Sequence, residues 1–216
     1  MRPAALALVL AAVLPAAASA APVTVVMSGT WDYVDDPGGV LPGGVGLGAS
    51  YTATLVYDDS APDFNAAPNE GNYDVAAPPF SFVLTTGSLT FTRVAGGFAE
   101  IDVAIGSSQS AGVFAREFQG APGLPPIGLS YVDAGMDTSV GTPLASTALK
   151  DIPWDLSAWS TANLGLFFDI ADGNVDTYVD LGGPITSMTV TPEPASFLLV
   201  AAGLAVLGRP ARRRVR

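Results

Sequence analysis

The chain has 216 residues, of which 49 % are hydrophobic and only 13 % are charged, and it contains neither cysteine nor histidine. Disulfides, thiolate nucleophiles and cysteine-ligated zinc are therefore excluded. Serine–histidine–acid hydrolysis and histidine-ligated metal sites are excluded as well, because both require the missing imidazole. A chain of this length is expected to form one full-sized domain.

Acidic and basic residues are distributed unevenly along the chain. Residues 21–191 contain 19 acidic residues but only three basic ones, namely Arg93, Arg116 and Lys150. Because such a field repels phosphate groups, we predict that this part of the chain does not bind nucleic acid. The other six basic residues lie near the two ends of the chain, in segments that we assign to targeting.

Residues 1–20 have the organisation of a secretory signal peptide. Arg2 precedes an apolar run at 4–14, and the small residues Ala18 and Ala20 occupy the −3 and −1 positions of a cleavage site. We predict cleavage between Ala20 and Ala21. A helix of about 11 residues spans about 16 Å, roughly half of a bilayer core, so this run predicts removal rather than permanent anchoring.

The last 25 residues combine three features in a fixed order. Pro192-Glu193-Pro194 is followed by an apolar stretch at 195–208 and an arginine-rich tail at 209–216. As a helix, the apolar stretch spans about 21 Å, which is shorter than the roughly 30 Å hydrocarbon core. With the cationic tail on the cytoplasmic side, it predicts transient insertion into a membrane before cleavage. An ordinary tail anchor is the alternative.

This order of tripeptide, hydrophobic segment and terminal arginines resembles the PEP-CTERM sorting signal of bacteria. The resemblance implies recognition by exosortase, a membrane-embedded cysteine transpeptidase, with Pro192, Glu193 and Pro194 as the recognition residues of a substrate. It also implies export to the cell surface or extracellular matrix, with signal peptidase and exosortase as processing partners. Exopolysaccharide or biofilm is the setting that the family context implies. The chain then divides into a signal peptide (1–20), a domain (21–191) and a sorting signal (192–216).

Alternation of apolar and polar residues with a period of two predicts that the domain is all-β. Clusters of Gly, Pro, Asp and Asn separate the alternating runs, as turns require, and one helical turn is expected within residues 153–161. We expect a single jelly-roll-like β-sandwich of about ten short antiparallel strands, followed by the hydrophobic sorting helix. The clearest strands are predicted at 23–30, 51–57, 80–85, 89–92, 101–105, 127–132, 164–170, 175–181 and 185–191.

An acidic loop after the second predicted strand is a candidate calcium site. Asp58, Asp59, Asp63 and Asn65 supply hard oxygen atoms of the type that calcium prefers. The competing interpretation is that Asp and Asn occupy turns for backbone reasons. A second acidic segment, 169–176, resembles the start of an EF-hand loop but lacks its glycine and terminal glutamate, so a β-turn at 172–173 is the better prediction.

Aromatic residues are candidates for stacking on sugar rings. Trp154 and Trp159 lie in a loop flanked by Pro and Ser and are expected to be exposed, whereas Tyr51 and Tyr57 lie on an apolar strand face and are expected in the core. Pairs of carboxylates could support glycoside hydrolysis without histidine, although no pair lies in a recognisable motif.

Together with the resemblance, these observations predict an exported, non-enzymatic protein of the cell surface or extracellular matrix that needs no cofactor. Its association with exopolysaccharide or biofilm is what the resemblance alone implies. A calcium-dependent carbohydrate-binding module is the first alternative. A carboxylate-based hydrolase is the second.

Overall fold

A computed structural model describes residues 22–65, 67–120, 122–171 and 177–191. For these residues the prediction of an all-β domain is confirmed, because the only helical structure among them is two short 3₁₀ turns, Leu149–Asp151 and Leu156–Ala158. The second turn lies within the segment where a helical turn was expected. The strands are β1 (Val23–Thr30), β2 (Tyr33–Asp35), β3 (Ser50–Tyr57), β4 (Glu70–Asp74), β5 (Ser81–Thr86), β6 (Leu89–Arg93), β7 (Ala99–Ile105), β8 (Gln109–Arg116), β9 (Phe118–Gln119), β10 (Ile127–Thr138), β11 (Thr161–Ile170) and β12 (Tyr178–Thr191).

The strands form one curled antiparallel sheet. Its order is β4-β7-β8-β10-β11-β12-β1-β3-β5-β6-β9, and β2 pairs with β12 beside this path. One half of the sheet, from β4 to β11, meets the other half, from β1 to β9, through β12. The first part of β12 pairs with β11, up to Pro184, and its second part pairs with β1 from Ile185 onward.

Inward-facing side chains from both halves of the sheet form a single hydrophobic core. The ring centroids of Phe91 on β6 and Phe168 on β11 are 5.4 Å apart, although these strands are far from each other in the sheet order. Tyr51 and Tyr57 are buried in this core, as expected. Burial raises the pKa of Tyr57 to about 12.

The short strands β2, β4 and β9 were not among the predicted ones. Two longer strands, β8 and β12, differ from the sequence prediction in a more informative way. β8 was not predicted, although it lies in the middle of one half of the sheet, because its inward residues beside Val113 are the polar Gln109 and the small Ala111 and Ala115. β12 was predicted as two strands, but Gly182, Gly183 and Pro184 continue the strand instead of ending it.

Glycine is required in both β1 and β12 at the point where β12 changes its pairing partner from β11 to β1. A Cβ atom on Gly29 would lie 2.0 Å from the carbonyl oxygen of Pro184, and one on Gly183 would lie 2.2 Å from that of Thr30. The Tyr51 hydroxyl donates to the Pro184 carbonyl oxygen at 2.9 Å and lies 3.2 Å from that of Gly183. We call this contact of β1, β3 and β12 the strand crossing.

Replacing Gly29 with alanine is expected to lower the free energy of unfolding by about 1–3 kcal/mol, because the new methyl group overpacks the strand crossing. Gly135→Ala is the matched control. Nothing lies within 4 Å of its Cβ position, so alanine there should leave stability unchanged or raise it by about 0.5–1 kcal/mol. Guanidinium denaturation of the full chain, followed by tryptophan fluorescence, measures both; equal losses would contradict the role of the crossing.

Candidate ligand-binding face

A row of aromatic side chains crosses the outer face of the half-sheet formed by β7, β8, β10, β11 and β12. Four successive ring pairs connect its five members, with centroid separations of 6.2, 5.5, 5.1 and 6.0 Å. We call this set the aromatic row; it consists of Phe98, Phe114, Tyr131, Phe167 and Tyr178. The four rings from Phe114 onward are half-buried, and Phe98 is 46 % exposed, so each ring retains surface toward solvent.

Strand alternation and register together place these rings outside the core. Phe114 lies between the buried Val113 and Ala115, so the pleat turns its side chain to the opposite face. Tyr131 lies directly opposite Phe167 in the β10–β11 register. Cross-strand aromatic pairs contribute roughly 0.2–1 kcal/mol each to sheet stability. The aromatic row therefore stiffens the face on which it lies.

Two pairs of glycine residues lie in the half-sheet that carries the aromatic row. Gly112 lies opposite Gly135, and Gly165 lies opposite Gly182, in the registers of the same half-sheet. Their positions face outward, in alternation with the buried residues of their strands. A Cβ atom on Gly165 would lie 2.6 Å from Asp133 Oδ1, and one on Gly182 would lie 3.6 Å from the Tyr33 Cβ atom, so side chains cover this pair. At Gly112 and Gly135 no side chain of another strand lies within 4 Å of the Cβ position, and we call these two residues the glycine pair.

Carboxylates accompany the aromatic row. Asp133 as a whole is exposed, but its carboxylate lies against Gly165; this loss of solvent, followed by the nearby charge of Asp180, raises the pKa of Asp133 above its ordinary value. Burial and the charge of Asp35, which lies directly opposite on β2, raise the pKa of Asp180. The Tyr178 hydroxyl donates to Asp35 Oδ2 at 2.6 Å. The Arg116 guanidinium carbon lies 5.1 Å from the Phe114 centroid. The face thus combines apolar rings with strong hydrogen-bond acceptors.

An open cavity of about 360 Å³ lies at the Phe98 end of the row. We call this cavity, with its lining residues, the end pocket; Pro62, Phe64, Asp74, Phe98 and Glu100 line it. Its size falls in the range of small-molecule sites, about 300–1,000 Å³. Asp74 and Glu100 are directly opposite each other across β4 and β7, which fixes both carboxylates on one wall.

The four calcium candidates are not assembled into a metal site. Asp58 Oδ1 accepts from the Ser60 backbone NH at 2.9 Å, and Asp63 Oδ1 accepts from that of Asn65 at 2.8 Å. Asp59 belongs to the same loop. Within the part of the chain that the structure describes, no group of three or more carboxylates is positioned to hold a metal ion. The competing interpretation, that these residues shape turns, is therefore the one that the hydrogen bonds favour.

The expected exposure of Trp154 and Trp159 is wrong. Only 9 % of Trp154 and 8 % of Trp159 are exposed. The Trp154 indole NH donates to the Tyr57 hydroxyl at 2.8 Å, and that of Trp159 donates to the Pro153 carbonyl oxygen at 2.9 Å. Because both indoles are packed against the domain, they offer no face to a sugar.

The predicted terminal sites and one predicted turn lie outside the described residues. They are the signal-peptide site (Ala18, Ala20 and Ala21), the sorting residues Pro192, Glu193 and Pro194 with the apolar segment that follows, and the turn at 172–173. Within the described part of the chain, no helix has the length and apolarity needed to cross a membrane.

No family model matches the chain, and neither the curated proteins nor the solved structures include a match.

Sequence reasoning missed the aromatic row as a group. Tyr131 and Phe167 occur at outward positions of predicted strands, where polar residues are usual, and this departure from the pattern is the signal that was present. Phe114 lies on a strand that was not predicted. The registers that join these residues into one row are visible only in the structure.

Asp133→Asn is expected to raise the melting temperature at pH 7. The pKa of Asp133 is raised in the folded state, so its ionised form opposes folding and the penalty is relieved as pH falls through the folded pKa. The advantage of the variant should therefore shrink toward about pH 4, near the ordinary pKa of aspartate. Asp137→Asn, an exposed outward residue on the same strand, is the control. A gain independent of pH would contradict this assignment.

Proposed function

We propose that this chain is an exported, non-enzymatic protein of the cell surface or extracellular matrix that holds polysaccharide on the aromatic row. Signal peptidase removes residues 1–20, and exosortase processes the chain at its PEP-CTERM signal after transient insertion of a C-terminal helix into the inner membrane. The observation that carries the binding role is the aromatic row on the outer face of the sheet.

Polysaccharide chemistry fits the composition of this face. Sugar rings present apolar CH groups that pack on aromatic surfaces, and hydroxyl groups that donate to carboxylates. Asp133 and Asp180 supply such acceptors on the same face as Tyr131 and Phe167. The backbone of the glycine pair is not covered by side chains of other strands, and Gly112 lies two residues from Phe114 on the same face of β8. Rigid strands hold all these groups in place, as an efficient binding site requires.

We further infer that the curled sheet is a jelly-roll-like β-sandwich, in which the half-sheet bearing the aromatic row packs on the other half. The contact of Phe91 with Phe168 supports this arrangement, since it joins strands from the two halves. In such a sandwich the face that carries the aromatic row is turned away from the core and is available to a ligand.

Removal of rings from the row is expected to weaken polysaccharide binding. Tyr131→Ala and Phe167→Ala should each reduce affinity by about tenfold or more, as buried aromatic anchors commonly do. Affinity electrophoresis of the full chain in gels containing neutral, anionic or amino-sugar polysaccharides measures the effect. Val140→Ala is the control, because its side chain is 76 % exposed and is not a member of the row. Circular dichroism confirms that the variants fold.

Affinity equal to that of the unmodified protein in both row variants would count against the proposed face. An equal loss in Val140→Ala would do the same, because it would show that the effect is not specific to the row.

Replacement of Pro192, Glu193 and Pro194 by alanine tests the sorting proposal separately. In cells that produce exosortase, the variant is expected to keep its C-terminal segment and to accumulate in the membrane fraction. Intact-mass measurement and fractionation detect both effects. A mature mass and location identical to those of the unmodified chain would rule out sorting through this tripeptide.

A further inference from the structure

The end pocket exposes two phenylalanine side chains next to two carboxylates. Phe64 is 61 % exposed and Phe98 is 46 % exposed. The backbone NH of Phe64 donates to the Asn72 carbonyl oxygen at 3.0 Å, which fixes this residue beside β4. Large apolar side chains that remain exposed around a cavity commonly mark a binding site. The side chains of the pocket therefore indicate a ligand with both an apolar and a charged part.

The charges around the end pocket indicate which chemical groups of a ligand can bind there. Asp74 and Glu100 line the pocket, and Asp102 follows Glu100 on the same face of β7. The opposing charges are those of Arg93, which is buried near Asp74, and Arg116, whose guanidinium carbon lies 5.8 Å from the Phe98 centroid. Carboxylates therefore outnumber guanidinium groups around the cavity.

Aromatic rings and carboxylates attract the same kind of group. The face of an aromatic ring carries negative electrostatic potential, so it attracts organic cations. Carboxylates add charge-assisted hydrogen bonds to a protonated amine. Burial, followed by the charge of Asp102, raises the pKa of Glu100, which is the direction expected when two carboxylates lie close together.

We propose that the end pocket binds the protonated amine of an amino-sugar unit, while the rest of the polysaccharide lies along the aromatic row. This inference rests on the proposed function and names the ligand class. Phe98 belongs both to the pocket and to the row, and its centroid is 6.2 Å from that of Phe114. A single ligand bound in the pocket can therefore extend along the aromatic row without a break. A glycan with free amines satisfies the carboxylates, whereas a polymer of uronic acids is repelled by them.

Two oligosaccharides that differ only in their amines test this inference. Titration calorimetry of the full chain with a glucosamine hexamer and with an N-acetylglucosamine hexamer is expected to show about tenfold tighter binding of the first at low salt. The difference should fall as ionic strength rises, because screening weakens the ionic contribution.

Isosteric variants then assign the preference to the pocket. Asp74→Asn combined with Glu100→Gln removes both charges but retains the acceptor for the Ala76 backbone NH and for the Asn72 amide. This double variant should bind the two hexamers equally. Asp137→Asn removes one carboxylate from β10, outside the pocket, and should keep the preference. Tyr131→Ala should weaken both hexamers by the same factor.

The possible failures are distinguishable. Equal binding of both hexamers by the unmodified chain, with Tyr131→Ala still weakening both, would overturn the amine inference and leave the proposed function intact. Binding of a lysine-rich peptide but of neither hexamer would also overturn it and would indicate a protein partner. Failure to bind either hexamer or any of the polysaccharides named above would remove both proposals together.

Discussion

The close contact between the neighbouring strands β1 and β12 is the constraint on which the fold depends. A single strand serves both halves of the sheet, and the change of partner between Pro184 and Ile185 brings two backbones within the reach of a methyl group. Only glycine at positions 29 and 183 permits this approach, and the Tyr51 hydroxyl closes it with a hydrogen bond. The orientation of one half relative to the other, and hence the formation of one common core, follows from this contact.

The same strands that build the core also build the outer face. Val113, Val132 and Leu166 point inward, and the residue next to each of them points outward with an aromatic ring. A ligand that lies on these rings therefore contacts groups whose positions are fixed by packing on the other side of the strand. The same strands therefore stabilise the core on one side and hold the binding residues in place on the other, so apolar rings on the solvent-facing side are compatible with a well-ordered domain.

Period-two alternation was sufficient to predict an all-β chain and most strands, because burial of one face leaves that pattern in the sequence. It failed at β8, where small inward residues and the outward Gly112 weaken the signal. The aromatic row could not be predicted, because it joins residues 98 to 178 through registers that no local pattern encodes. Trp154 was misjudged for a related reason: its partner, Tyr57, is 97 positions away.

The outermost strands of the sheet offer little to a second copy of the chain. At one edge of the sheet, the outward-facing residues of β4 are Glu70, Asn72 and Asp74. At the other edge, β9 is only two residues long. Negative charge along one margin and brevity at the other are features by which natural sheets avoid pairing with each other. Molecules crowded at high local density would therefore remain individually dispersed instead of joining edge to edge into fibrils.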